Sequence, residues 1–360
     1  MKLERPTGSA GTGRHGMPIH SKLTSRPARQ RGAVAVYVAI LLPMMIGFLA
    51  LAADIGRAYV VRNELQNAVD AAALAGAGEL RLSGVAGTWA NASASARAAG
   101  VKNAADGVTL TDVQVQTGYW NVQGTPAGLQ STSITPGTYD KPAVQVTISR
   151  TAGQNGGPLN TYFAGLVGVS TIPVSATATA LVLAPGASPP GALLPIAIPL
   201  CMYQNYWNSS TGQPNTDASG NPIEFTMASA YHAGPCASMQ WTSFQTDAND
   251  VPTARNLLAN GNPTSMNIGD NTWIEPGTKT TLFSSVPYPA DVLLPVVVDL
   301  TTHAAVPIVA FAPFHIDSST GGSCKCITGH FITNYKVPTG SAGAGNGPYY
   351  GAYTPAMLAQ

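Results

Sequence analysis

The chain has 360 residues, a formal net charge of +1 and only 10% charged side chains. So little net charge argues against a nucleic-acid binder. The 38 glycines and 28 prolines favour strands joined by turns over long soluble helices, and the length leaves room for one large or two ordinary domains.

Residues 1–31 carry Lys2, Arg5, Arg14, Lys22, Arg26, Arg29 and Arg31 against a single acid, Glu4. The stretch lacks hydrophobic periodicity and is rich in Gly, Pro and Ser, so it reads as a disordered basic tail. Residues 33–53 (AVAVYVAILLPMMIGFLALAA) then run without a charge. As a helix they span roughly 30 Å, the thickness of a bilayer's hydrocarbon core. Pro43 kinks such a helix in lipid rather than ending it. Of the chain's 18 basic and 17 acidic residues, 11 and 16 remain beyond the tail. The positive-inside rule therefore keeps the tail cytoplasmic and sends the remainder across the membrane. Ala50-Leu51-Ala52 fits a signal-peptide cleavage pattern, but the apolar run is longer than a signal core and its leading tail is long, which favours a retained anchor.

From Asp54 onward, Ile55, Tyr59, Leu65, Val69, Ala72 and Ala73 recur at helical spacing, with Arg57, Glu64 and Asp70 on other faces. The spacing predicts that the membrane helix continues into the exported space and ends near Gly84. Residues 71–78 are nearly all Ala and Gly, which permits close approach of a helix or a sheet. The face Ile55, Tyr59, Leu65, Val69 and Ala72 serves either intramolecular packing or a partner protein.

Arg31-Gly32-Ala33-Val34-Ala35-Val36, Leu42-Pro43, Asp54-Ile55-Gly56-Arg57-Ala58-Tyr59 and Leu65-Gln66-Asn67-Ala68-Val69-Asp70-Ala71-Ala72-Ala73-Leu74-Ala75 resemble, in order, the N-terminal segment of TadG-like proteins. That family belongs to the tight-adherence (Flp) pilus assembly systems. The resemblance implies a non-enzymatic accessory component without a cofactor. It would be anchored in a bacterial inner membrane, with the bulk of the chain in the periplasm in contact with other pilus-assembly or envelope proteins. Prepilins, a related group, are cut after a glycine and carry a glutamate five residues beyond the cut. Here Gly32 is followed at that distance by Tyr37, so the match suits a retained accessory protein better than a fibre subunit.

Residues 89–104 read as a short Ala-rich helix, 108–115 and 143–148 as alternating strands, 158–167 as a helix with proline in its first turn, and 172–183 as a long β-branched strand. Together 84–184 form an α+β unit. Residues 185–191, rich in Pro and Gly, mark a linker. The echoing runs Leu193-Leu194-Pro195 and Leu293-Leu294-Pro295 suggest buried or paired strands. With a polar loop at 205–222 and strands near 273, 308–316 and 330–337, residues 192–339 form a β-rich domain, followed by a flexible tail, 340–360. The predicted fold class is α+β: a transmembrane helix extending into an exported α+β unit, then a β-rich C-terminal domain.

Cys201, Cys236, Cys324 and Cys326 all lie on the predicted exported side, where disulfides persist. Connectivity cannot be read from sequence. Cys324 and Cys326 are poorly placed to pair with each other, and pairing each with Cys201 or Cys236 would tie the two ends of the β-rich region together. His315, Cys324, Cys326 and His330 form the best metal-ligand set, but Cys-x-Cys is not the usual zinc knuckle, and oxidation is favoured over metal. Asp317-Ser318-Ser319-Thr320-Gly321 and Asp299-Leu300-Thr301-Thr302-His303 both fail the Asp-x-Ser-x-Ser pattern of a von Willebrand A-type site. No Gly-x-Ser-x-Gly elbow or phosphate loop occurs. The alternative to pilus assembly is a membrane-tethered or secreted binding module unrelated to pili.

Overall fold

The computed structural model of the chain describes residues 31–82, 84, 87–338 and 347–359. The predicted basic tail, apart from Arg31, and the first residues of the predicted C-terminal tail lie outside them. The chain divides into two compact units, 1–52 and 53–360.

The first unit holds the opening turns of helix α1 (Arg31–Ala77), with Pro43 inside the helix. Its large apolar side chains, from Val34 to Leu51, are exposed. The helix is long and apolar enough to cross a membrane. It stops at Ala77, seven residues short of the expected end at Gly84.

In the second unit the same helix becomes one-sided. Val61, Leu65, Ala68, Val69, Ala72, Ala73 and Ala77 are buried, following the three-to-four-residue spacing of an amphipathic stripe. They pack with Ala92 and Ala96 of helix α2 (Trp89–Gly100). The small residues permit this approach: a β-carbon on Gly76 would lie 2.8 Å from the carbonyl oxygen of Ala92 and 2.9 Å from the β-carbon of Ala96.

Both helices cover a five-stranded antiparallel sheet built from β1 (Gln114–Asn121), β2 (Leu129–Gln130), β3 (Asp140–Arg150) and β6 (Val174–Leu181). Between β3 and β6 lies a small hairpin, β4 (Leu159–Asn160) with β5 (Thr171–Ile172). Alternation sets the faces of the sheet. Val144, Val146 and Ile148 of β3 and Ala176, Ala178 and Ala180 of β6 join the helix core. On the other face Thr147 and Thr177 share a hydroxyl hydrogen bond of 2.8 Å. The fifth strand, Met357–Leu358, comes from the C-terminus and pairs with β6. Residues expected in a flexible tail therefore complete this sheet, and Tyr350 stacks on Tyr203 in the other lobe.

The C-terminal lobe is a barrel-like sheet. Its strands are β7 (Ile196–Pro199), β8 (Phe225–Ser229), β9 (Ser238–Trp241), β10 (Asn271–Ile274), β11 (Ala290–Val297), β12 (Ala304–Thr320) and β13 (Cys326–Phe331), in the order β10-β12-β11-β7-β9-β8-β13. A further pairing of β12 with β13 closes the ring. The two Leu-Leu-Pro runs meet here: Leu193 bridges Leu293 in parallel, and β7 runs parallel to β11. These runs do not alternate because both faces are covered. Val292, Leu294 and Val296 enter one core, while Leu293 and Val297 enter another.

The expected linker is not a free joint. Ala184, Ala187 and Ser188 are buried, and Ala187 and Ser188 pair with Asn267 and Met266. Cys201, in helix α3 (Leu200–Tyr206), is bonded to Cys236, and Cys324 is bonded to Cys326. The reading of Cys324 and Cys326 as poorly placed to pair is thus corrected. Lys325 between the last two cysteines takes a positive φ of 52°, which folds the backbone back and brings their α-carbons to 5.2 Å.

Candidate functional site at the start of the second unit

Asp54 is the first charged residue after the apolar run, and it is buried. Its carboxylate accepts three backbone hydrogen bonds, from Tyr162 N–H (2.8 Å), Phe163 N–H (2.9 Å) and Ala164 N–H (2.7 Å). One turn along the helix, Arg57 grips Asp106 with two nitrogens, Nε at 3.2 Å and Nη2 at 2.7 Å. Its remaining Nη1 donates to the carbonyl of Asn160 at 2.8 Å, and its guanidinium lies 4.7 Å from the ring centre of Tyr162. Arg150 at the end of β3 reaches the same Asp106 carboxylate at 3.0 Å. Glu64 closes the set by accepting the Asp106 backbone N–H at 2.7 Å.

Asp106 can serve all of these partners because it sits in a tight hairpin. Asp106 and Gly107 have φ of +53° and +72° between paired residues 104–105 and 108–109. This suits an Asp-Gly turn, since Asp tolerates the left-handed region and Gly has no penalty there. The result is a clamp that fixes residues 54–64 of α1 to the α+β lobe through two separate hairpins.

The Asp106 carboxyl is held below the usual carboxylate range, chiefly by the Arg57 hydrogen bond, with Arg150 adding to it and burial opposing. The sign of the pH dependence follows. A depressed carboxyl contributes stability that is fully present above its unfolded value of about 3.9 and is lost as pH falls through the lower folded value. Asp106→Asn, which keeps a side chain tolerant of positive φ, should cost about 2 kcal/mol at neutral pH, because Arg150 is left short of its counter-charge; the figure is discounted for the partial exposure of Asp106. It should also flatten the acid limb of the stability curve, as read from thermal unfolding between pH 7 and about pH 3.

Two family comparisons match the chain. The TadE/G-like Flp pilus-assembly family matches residues 32–79, and the Tad-like Flp pilus-assembly family matches residues 58–180. Residues 32–180 belong to the Tad family of Flp pilus-assembly proteins. No curated protein and no solved structure matches the chain. The Tad segment contains α1, α2, the first four long or paired strands of the N-terminal sheet and every member of the clamp. The barrel-like lobe lies beyond it.

The face proposed from sequence for a partner is divided by the fold. Leu65, Val69 and Ala72 are fully buried against α2 and the sheet, so in this lobe they are packing residues. Ile55 and Tyr59 are 57% and 67% exposed. They line a groove of about 390 Å³ together with Arg62, Ile172, Pro173 and Val174. Arg57 and Glu64, expected simply to occupy other faces of the helix, are the working members of the clamp. The Asp106-Gly107 turn was the available signal for it.

The set His315, Cys324, Cys326 and His330 does not assemble as metal ligands. Strand register places His315 opposite His330, with their rings 5.2 Å apart, but both cysteines are consumed in a disulfide. The histidines turn instead to carboxylates, His315 Nδ1 to Asp291 at 2.6 Å and His330 Nδ1 to Asp317 at 3.3 Å.

Proposed function

We propose that this protein is a non-enzymatic accessory component of tight-adherence (Flp) pilus assembly, anchored in the inner membrane through residues 33–53. The remainder stands in the periplasm and contacts pilus or envelope proteins. Membership of residues 32–180 in the Tad family carries the reading, and the geometry supports it. A helix long enough to cross a membrane runs into a lobe that is locked to that helix by Asp54, Arg57 and Glu64.

Partner contact is assigned to the exposed part of the helix face, Ile55 and Tyr59, and its groove. Ile55→Asp and Tyr59→Asp place charges where the fold has no side chain to displace, so protein level and melting temperature should be unchanged while surface pili are lost. Val69→Asp, by contrast, buries a charge in the core and should lower protein level itself. The measurement is pilus count by electron microscopy in a deletion strain complemented with each variant. Full piliation with both exposed-site variants would remove this surface from the mechanism, and full piliation of the deletion strain would favour a binding module unrelated to pili.

A further inference from the structure

The hairpin β4–β5 carries an apolar tip with an unusual construction. Tyr162, Phe163, Leu166 and Val169 are 69%, 45%, 89% and 48% exposed, and no Asp, Glu, Lys or Arg occurs between Arg150 and Asp217. Yet six backbone N–H groups of this tip are bonded from within. The N–H groups of Tyr162, Phe163 and Ala164 are bound by Asp54. Those of Leu166, Gly168 and Val169 go to the carbonyls of Phe163, Gly165 and Ala164. The Thr161 hydroxyl donates to the Val169 carbonyl at 2.7 Å, and Thr161 N–H to Ser170 at 3.0 Å.

Apolar side chains outside and satisfied N–H groups inside form the arrangement that a lipid environment demands, because hydrocarbon offers no hydrogen-bond partners. Location points the same way. Asp54 follows the uncharged run 33–53 directly, so by chain connectivity the backbone bonded to its carboxylate lies within a few ångströms of the end of that run. Tyrosine at such a level suits the membrane–water interface.

We propose that the 162–169 tip dips into the headgroup–acyl boundary of the bilayer that holds residues 33–53, as a second membrane contact that fixes the height and tilt of the lobe. This rests on the anchored reading above. Depth on the order of 5–10 Å is expected for such an interfacial element.

The test uses the full chain in vesicles of phosphatidylethanolamine and phosphatidylglycerol. Its native cysteines are all in disulfides, so an environment-sensitive fluorophore can be placed on Leu166→Cys, on Met45→Cys within the anchor, or on Tyr231→Cys, an exposed site in the barrel-like lobe. At position 166 the emission should shift to the blue and be lost more to a spin label near the lipid headgroup than to one near the chain end. Position 45 should show the opposite preference, and 231 neither. Quenching at 45 with position 166 behaving like 231 would overturn the inference and leave the anchor intact. Quenching at neither 45 nor 166 would overturn the anchored reading, and the inference with it.

Discussion

Lys279→Met should destabilise the protein by about 3–5 kcal/mol at neutral pH, the scale of an ion pair broken in a dry site. Glu275 is fully buried, and Lys279 Nζ lies 2.9 Å from its Oε2 with only 6% of the lysine side chain exposed. Apart from this ion pair, neither carboxylate oxygen has a partner. Meanwhile Nζ donates to the Asn249 carbonyl at 2.6 Å. The Lys279 ammonium is thus the one group that offsets the cost of burying the carboxylate. Burial pushes the Glu275 carboxyl up, and Lys279 only partly restrains it. A raised carboxyl binds a proton more readily in the folded chain than in the unfolded one. Stability is therefore lost as pH rises through the raised value and recovered below the ordinary glutamate value of about 4.3.

Without Lys279 that raised value moves higher still. The variant's deficit should be largest at neutral pH and shrink on acidification towards about pH 5, as measured by urea unfolding at each pH. Glu275→Gln combined with Lys279→Met removes both charges and should recover most of the loss. A double variant as unstable as the single one would show that the lysine stem and its bond to Asn249, not the charge pair, carry the effect. This window lies above that of Asp106, so the two acid responses separate in one titration.

The parts of the fold that local pattern controls were legible in the sequence. The uncharged run as one long helix, the helical spacing of Leu65, Val69 and Ala72, the alternation of 143–148 as a strand and the doubled Leu-Leu-Pro runs as paired strands are each decided by one period or one composition. The segment 158–167 did not become the expected helix. It is short and apolar, where periodicity cannot arbitrate, and Asp54 supplies three hydrogen bonds that hold its backbone in a hairpin tip instead. That partner lies 108 to 110 positions away, beyond any spacing rule. Helix Val251–Asn260 is absent from the expected elements although it carries its signals, an Asp250 cap on Thr253 N–H and a proline in the first turn. The clamp was half visible: Asp106-Gly107 is a hairpin turn on its face, but its union with Arg57 and Arg150 is a tertiary fact.

The two disulfides should contribute very unequally, and the sequence separations say why. Cys201–Cys236 spans 35 positions, whereas Cys324–Cys326 spans 2. In the chain-entropy model the first constrains the unfolded chain by about 4 kcal/mol and the second by less than half of that. Cys201→Ser with Cys236→Ser should therefore lower the free energy of unfolding by about 4 kcal/mol, and Cys324→Ser with Cys326→Ser by about 1–2 kcal/mol, in urea titrations of the full chain. Equal losses would place the effect in native packing around the sulfurs rather than in loop closure. The larger bridge also encloses β8, which joins β9 to β13 in the closed ring, so its loss loosens the segment on which closure depends. Reductant should reproduce the combined loss of the two paired variants in the wild-type chain and add nothing further to a variant lacking all four cysteines. A chain held in a reducing cytoplasm would then carry a lobe weaker by that amount, and an exported one would gain it on oxidation. Protease resistance of the lobe before and after export, with and without Cys201, reads that difference directly.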